Sequence, residues 1–297
     1  YIDYSFDAWL TAAGDNYKNN DSIVNYTLHN SPVISSYPYV EGFESSNGNW
    51  YTKGSNSSWE WGAIGKSIIY KAANGVNGWV TNLSGDYNTN ELSYLYSPCF
   101  DLSSLTQPVL SFSHIFDIEQ DYDYTWVEYS TDGKVWNKLG TVGDGTNWYD
   151  NAGADNWRLS KITWHVASID VPPYAGNMRF RIVMASDGGV NYEGAGIDDV
   201  HVFDKALIYT GSPLSGTTQN VNGTGWVNFY NAGKIIASIN PNGQNLGITT
   251  VDVYPYAGAI RNSNNQYYLD RNIVVKSANP PTGNVKVRFY FTDTEAN

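Results

Sequence analysis

Apolar side chains fall on alternate positions over many short runs of this chain, most cleanly in Val109-Leu-Ser-Phe-Ser-His-Ile115 and Met178-Arg-Phe-Arg-Ile-Val-Met184. A period of two sends successive side chains to opposite faces of a strand. Leu110 and Phe112, and Phe180, Ile182 and Met184, are therefore expected in a core, with Arg179 and Arg181 on the other face. Comparable runs rich in Val, Ile, Thr and Tyr alternate with Asn/Gly/Asp/Ser clusters from end to end, and no window carries apolar residues at a sustained helical spacing. The pattern predicts an all-β protein.

Turn residues divide the runs into three groups. Residues 1–36 hold two strands joined by the polar stretch Gly14–Asp21, the second being Ser22-Ile-Val-Asn-Tyr-Thr-Leu-His29. A lone hairpin is marginal in water, so these strands are expected to complete a sheet begun elsewhere. Asn30-Ser-Pro32 and Tyr37-Pro38 mark a linker. The stretch 37–204, strand-like from Tyr39 onward, has the size of a two-sheet sandwich; its clearest hairpin is Trp126–Ser130 with Val135–Leu139 around Asp132-Gly133. Residues 205–297 read as a further, truncated β domain, with turns at Asn231-Ala-Gly233, Asn240-Pro-Asn-Gly243 and Asn262-Ser-Asn-Asn265. The chain begins at Tyr1 in a strand-like run with no apolar leader, and Thr292-Asp-Thr-Glu295 looks like the N-cap of a helix. The 297 residues are expected to be a piece of a longer polypeptide.

Charge and composition narrow the function. With 17 Lys+Arg against 29 Asp+Glu the net charge is −12, which repels a polyanion, so nucleic acid is not an expected partner. Cys99 stands alone and cannot form an internal disulfide. No apolar run approaches the roughly 18 residues of a membrane-spanning helix.

Few residues carry a chemical signature. The run Asp117-Ile-Glu-Gln-Asp-Tyr-Asp123 has carboxylates at 117, 119, 121 and 123, which an extended chain would place on one face. Glu119 with Asp123, or Glu119 with Glu128, would be the acid pair of a glycosidase if they flanked a sugar; a solvated loop or a cation site is the favoured reading. His29, His114, His165 and His201 lie in separate strand-like segments, with no His-Glu-x-x-His motif and no Gly-x-Ser-x-Gly elbow. No catalytic residue and no cofactor-binding residue is assigned. Ser130-Thr-Asp-Gly-Lys-Val-Trp136 is one residue short of a sialidase Asp-box and occurs once, so a hairpin turn explains it.

The aromatic content is the remaining lead. Eleven Trp and 24 Tyr exceed what a core of this size requires. Rings exposed in a groove can stack on sugar faces. Trp148, Tyr149 and Trp157, in irregular segments, are the expected ligand-binding rings, whereas Trp59 and Trp61 are expected to pack.

An ordered set of motifs resembles a known family. Glu41-Gly-Phe-Glu44, Trp59-Glu-Trp-Gly62, Gly78-Trp-Val-Thr81, Leu95-Tyr-Ser-Pro98, Val127-Glu-Tyr-Ser-Thr-Asp-Gly133 with Trp136, Arg179-Phe-Arg-Ile182 and Gly196-Ile-Asp-Asp-Val200 are similar to the MAM-like jelly roll of secreted and cell-surface proteins, including accessory modules of bacterial extracellular metallopeptidases. The flanking units, with Asn228-Phe-Tyr-Asn-Ala-Gly-Lys234 and Gln266-Tyr-Tyr-Leu-Asp-Arg271, resemble large Bacteroidota surface proteins exported by the type IX secretion system. The resemblance implies a central jelly-roll sandwich over 37–204, preceded by the C-terminal strands of an Ig-like β domain, at an extracellular or outer-surface location. It also implies that the first and last strands lie side by side, bringing Glu44, and with it Glu41, near Asp198 and Asp199. There the carboxylates would either bind a structural Ca²⁺ or accept backbone hydrogen bonds at strand ends.

Three functions follow as expectations. The first is a non-catalytic binding or adhesion module, directed to an extracellular glycan or a surface protein and working with other domains of the same chain and the secretion machinery. The second is an accessory region of a secreted metallopeptidase whose catalytic domain lies elsewhere. The third is a structural spacer.

Overall fold

The computed structural model describes every residue except 1, 18, 20, 31, 211–213, 256–260, 264–265, 269–270 and 293–297. Residues 293–295 of the expected helix cap and part of the turn at Asn262–Asn265 fall outside the described residues. The chain divides into two compact units, Tyr1–Phe203 and Asp204–Asn297. No helix among the described residues is long and apolar enough to cross a membrane.

In the first unit, β1 (Ile2–Trp9) and β2 (Ser22–Asn30) pair antiparallel as a hairpin. Among the described residues it joins no other strand. The strands that follow are β3 (Val33–Ile34), β4 (Tyr39–Glu41), β5 (Tyr51–Ser55), β6 (Trp59–Ala63), β7 (Asn77–Thr81), β8 (Leu92–Asp101), β9 (Pro108–Asp117) and β10 (Tyr124–Ser130). They are succeeded by β11 (Asn137–Lys138), β12 (Gly145–Thr146), β13 (Lys161–Asp170), β14 (Asn177–Ala185) and β15 (Gly194–Asp204). They form two sheets: a six-stranded one in the order β11-β10-β14-β8-β3, with β5 also on β8, and a seven-stranded one in the order β12-β13-β9-β15-β7-β6, with β4 also on β15.

These orders define a jelly roll. β7 pairs with β15, β8 with β14, β9 with β13 and β10 with β11. The chain thus behaves as one long hairpin ribbon rolled up, its first strand beside its last and successive pairs laid in opposite sheets. The roll fixes close approaches that only glycine tolerates. At Gly194, with φ +93°, a Cβ would lie 1.9 Å from Thr81 Oγ1 on the neighbouring β7.

The two inner faces supply one core, in which Leu110, Phe112, Phe180, Ile182 and Met184 are all buried as the alternation predicts. Arg179 and Arg181 face outward, also as expected. A second, smaller cluster lies on the outer side of the seven-stranded sheet, where Ile64, Ile69 and Ala72 of the segment 64–76 cover Val80 and Ile115.

In the second unit, β16 (Leu214–Asn222), β19 (Asn245–Pro255) and β22 (Arg271–Ser277) make one sheet, and β17 (Val227–Asn231), β18 (Lys234–Asn240) and β23 (Lys286–Phe289) another. β20 (Arg261–Ser263) and β21 (Gln266–Tyr268) form a hairpin. Val221, Phe229, Ile236 and Val251 are buried together in one cluster. Asn231↔Lys234 closes a two-residue turn in which Ala232 and Gly233 both have positive φ, the conformation that suits the twist of a hairpin.

Candidate functional site

The expected cation ligands lie at the ends of the roll, but among the described residues the acids whose oxygens converge within 4.8 Å are Glu119, Asp123 and Asp187, not Glu41, Glu44, Asp198 and Asp199. β4 pairs with β15 through Val200↔Glu41 and Val202↔Tyr39. Asp198 is fully buried; its Oδ2 accepts from the Asn74 amide at 2.9 Å and its Oδ1 from the Asp199 amide at 2.6 Å. Burial, helped by the neighbouring Asp199 and Glu44 charges, pushes the Asp198 carboxyl up to about 7. Glu44 Oε1 accepts from the Val76 and Asn77 amides at 2.9 and 3.0 Å, and Glu41 Oε1 from the Phe43 amide at 2.7 Å. Each of these three acids ties down backbone, and Glu44 and Asp198 grip the same segment, 74–77.

Trp148, Tyr149 and Trp157 are not exposed. They are 1%, 5% and 0% accessible, and the expectation that they present rings to a ligand is overturned. Their polar atoms are spent on backbone: Trp148 Nε1 donates to Leu139 O at 2.9 Å, Tyr149 OH to Leu139 O at 2.9 Å, and Trp157 Nε1 to Asn147 O at 3.0 Å. Trp157 also exchanges both backbone bonds with Thr125 of β10, which draws the 140–160 segment into the sandwich as a plug. Trp157 lies 5.3 Å from Trp148, 4.8 Å from Tyr149 and 5.4 Å from Phe116, centroid to centroid. Leaving such rings in water would forfeit about 2–3 kcal/mol each, which outweighs the polar composition of the segment. Of the other pair, Trp59 is buried while Trp61 is 37% exposed, its Nε1 on Phe43 O at 3.0 Å.

The acidic run does not extend along one face. β9 stops at Asp117, and the chain turns through Asp121, whose φ is +70°. The turn folds Asp123 inward, fully buried, where it accepts from the Tyr87 hydroxyl and from the Asp187 amide at 2.9 Å. One oxygen each of Glu119, Asp123 and Asp187 lie within 4.8 Å of one another. Asp121 pairs instead with Arg158 at 2.5 Å. The glycosidase pairings fail geometrically: Asp123 is closed off from solvent, and Glu128 sits on the outward face of the six-stranded sheet, bonded to Arg181 at 2.5 Å.

That outward face is the site the chain's motifs did not single out. One row of cross-strand neighbours runs Tyr51–Tyr96–Arg181–Glu128–Lys138 across β5, β8, β14, β10 and β11. Tyr51 stacks on Tyr96 at 5.0 Å with rings 5° from parallel. The Arg181 guanidinium lies between Tyr94 at 4.0 Å and Trp136 at 4.2 Å. Its Nε and NH1 donate to Glu128 Oε2 at 2.6 Å and to the Tyr96 hydroxyl at 2.8 Å. Lys138 lies over Trp126 at 4.9 Å, Lys53 over Tyr51 at 5.8 Å, and Arg179 donates to the Tyr51 hydroxyl at 3.1 Å. Five half-buried rings and four cations share this face with Glu128, and Lys138 also senses the Asp155 carboxylate. This concentration of cations contrasts with the chain's net charge of −12. The alternation in Tyr94-Leu-Tyr-Ser97 and Arg179-Phe-Arg-Ile182 was the available signal.

No family model matches the chain. Bacillopeptidase F of Bacillus subtilis is 30% identical over 169 residues, which is 57% of this chain; the match spans 11% of the length of that protein. Among solved structures, TmCBM61 in complex with β-1,4-galactotriose is similar with a TM-score of 0.37 and 12% identity, covering 55% of this chain and 94% of that one. The K1 cleaved adhesin domain of Lys-gingipain from Porphyromonas gingivalis is similar with a TM-score of 0.38 and 17% identity, covering 57% and 99%.

Proposed function

We propose that this chain is a non-catalytic binding module of an extracellular multidomain protein, and that it engages an extracellular glycan through the outer face of its six-stranded sheet. The observation that carries the reading is the row of half-buried rings and cations held rigid by Arg181 on that face. Rings stack on the apolar faces of pyranoses, while Lys53, Arg179 and Lys138 suit acidic sugars. A glycan array that includes uronic-acid polymers is the direct test. Trp136→Ala and Tyr94→Ala should each weaken binding by about 0.5–1.5 kcal/mol, a two- to ten-fold loss, without unfolding the protein. Failure to bind any glycan sinks the proposal.

Two finer readings belong with it. The motif order and the rolling-up of first strand against last favour a MAM-like module; the flanking motifs Asn228–Lys234 and Gln266–Arg271 separately favour secretion through the type IX machinery of a Bacteroidota cell. A structural Ca²⁺ held by Glu44, Asp198 and Asp199, with Glu41 beside them, would offset the burial, and with it the lesser carboxylate repulsion, that raise Asp198. Reversible stabilisation by Ca²⁺ after chelation, lost in Asp198→Asn, would support this ion; a melting temperature indifferent to Ca²⁺ and chelator would discard it.

A second reading, an accessory region of a secreted peptidase, is favoured by the 30% identity to part of Bacillopeptidase F. The full-length coding sequence decides it, because a peptidase domain must be encoded there.

A further inference from the structure

A cavity of about 270 Å³ lies on the opposite side of the first unit, on the outer face of the seven-stranded sheet. Ile68, Tyr70 and Lys71 of the covering segment 64–76 form one wall, Ile162 and Trp164 of β13 the other, and Ile115 of β9 the floor. The walls are fixed before any ligand arrives. Trp164 Nε1 donates to Lys71 O at 2.8 Å and joins them directly. The covering segment is latched at both signs of charge. The Glu193 carboxylate accepts from the Ser67, Ile68 and Ile69 amides at 2.7–2.9 Å, while the Lys66 ammonium donates to Thr81 O, Gly85 O and Glu193 O at 2.5–3.2 Å. Such preorganisation removes an ordering cost from binding.

The lining selects the ligand. Tyr70 is 62% exposed, Ile162 55% and Ile68 39%, so the mouth presents apolar surface to solvent. Polar groups are sparse: Trp164 Nε1 is already used, leaving the Thr163 and Tyr70 hydroxyls and Lys71. That is too few donors and acceptors for the hydroxyls of a sugar. An engineered apolar cavity of about 150 Å³ accepts a benzene, so a volume of about 270 Å³ suits one bicyclic ring with a short substituent. The Lys71 ammonium lies 5.4 Å from the Tyr70 ring centroid and has no ion-pair partner among the described residues.

We propose that this cavity binds a small aromatic carboxylate, its ring against Tyr70, Trp164 and Ile115 and its carboxylate at Lys71. The site is independent of the glycan face and survives the failure of that reading. Titration of the whole chain, followed by NMR with indole-3-acetate, indole and tryptamine as probes, tests it. Indole-3-acetate should saturate with a dissociation constant on the order of 1 mM, about three-fold tighter than indole, with tryptamine weakest. Lys71→Ala should bring indole-3-acetate and indole to the same affinity. Ile162→Trp, a change at an exposed position, should fill the cavity and abolish binding of all three. The proposal is overturned if no probe saturates by about 10 mM, if tryptamine binds as well as the acetate, or if Ile162→Trp leaves binding intact.

Discussion

The two sheets of the jelly roll share one core but finish their outer faces in opposite ways. On the six-stranded sheet the outward positions of β8, β14 and β10 include Tyr94, Tyr96, Arg181, Trp126 and Glu128, which partner one another on the sheet surface and need no cover. On the seven-stranded sheet the outward positions include Val80 and Ile115, which are buried only because the segment 64–76 lies over them. A sheet whose outer residues carry their own polar partners can face water, whereas one whose outer residues are aliphatic must recruit a loop. The recruited loop does not cover the whole face, and the cavity forms at its margin.

Breaking the cover should have the largest effect. Ile69 is fully buried beneath the loop, and Ile69→Ala should cost about 2–4 kcal/mol, read from the shift in denaturation midpoint. On the opposite face Arg181→Met removes the cation from a pair whose side chains are 13% and 15% exposed. It should cost about 2 kcal/mol, much of it recovered when Glu128→Gln is added, because the unpaired carboxylate accounts for most of the penalty. A double-mutant cycle with additive effects would show that the face is not a coupled layer.

The smallest effect separates the sheets by pH. His114 of β9 is fully buried, its ring centroid 3.8 Å from that of His165 of β13 with the planes tilted by 52°, on the inner side of the seven-stranded sheet. Burial, reinforced by His165 and Lys161, holds His114 well below its ordinary value, and burial also lowers His165. Both imidazoles are therefore neutral in the fold near neutral pH. As pH drops below the unfolded value of 6.5 the unfolded chain gains protons that the folded chain refuses, so stability present above that pH is lost below it. The slope from His114 should approach about 1.4 kcal/mol per pH unit. It should vanish in His114→Phe, and amide exchange at mildly acidic pH should quicken in β9 and β13 before β8 and β14.

Strand alternation made much of this legible. It placed Phe180 and Ile182 inside and Arg179 and Arg181 outside, because period two is a local property of extended chain. It did not reveal that Tyr51 and Trp136 meet those arginines, since that depends on β5 and β11 flanking the β8–β14–β10 strip. It misplaced Trp148, Tyr149 and Trp157, which sit in aperiodic polar sequence and are buried by a bridge to Thr125. It also read 117–123 as one acidic face, whereas the turn at Asp121 sends Asp123 inward to Tyr87.

The amino-acid sequence by itself determined the all-β character, the core-facing positions of the long strands and the acidic balance, for these follow from local periodicity and composition. The tertiary structure alone decided which side chains share a surface. Sheet order in a rolled ribbon joins strands far apart in sequence, and burial of an aperiodic loop depends on the vacancy it fills, so neither the aromatic–arginine face nor the cavity beside segment 64–76 has a local signature.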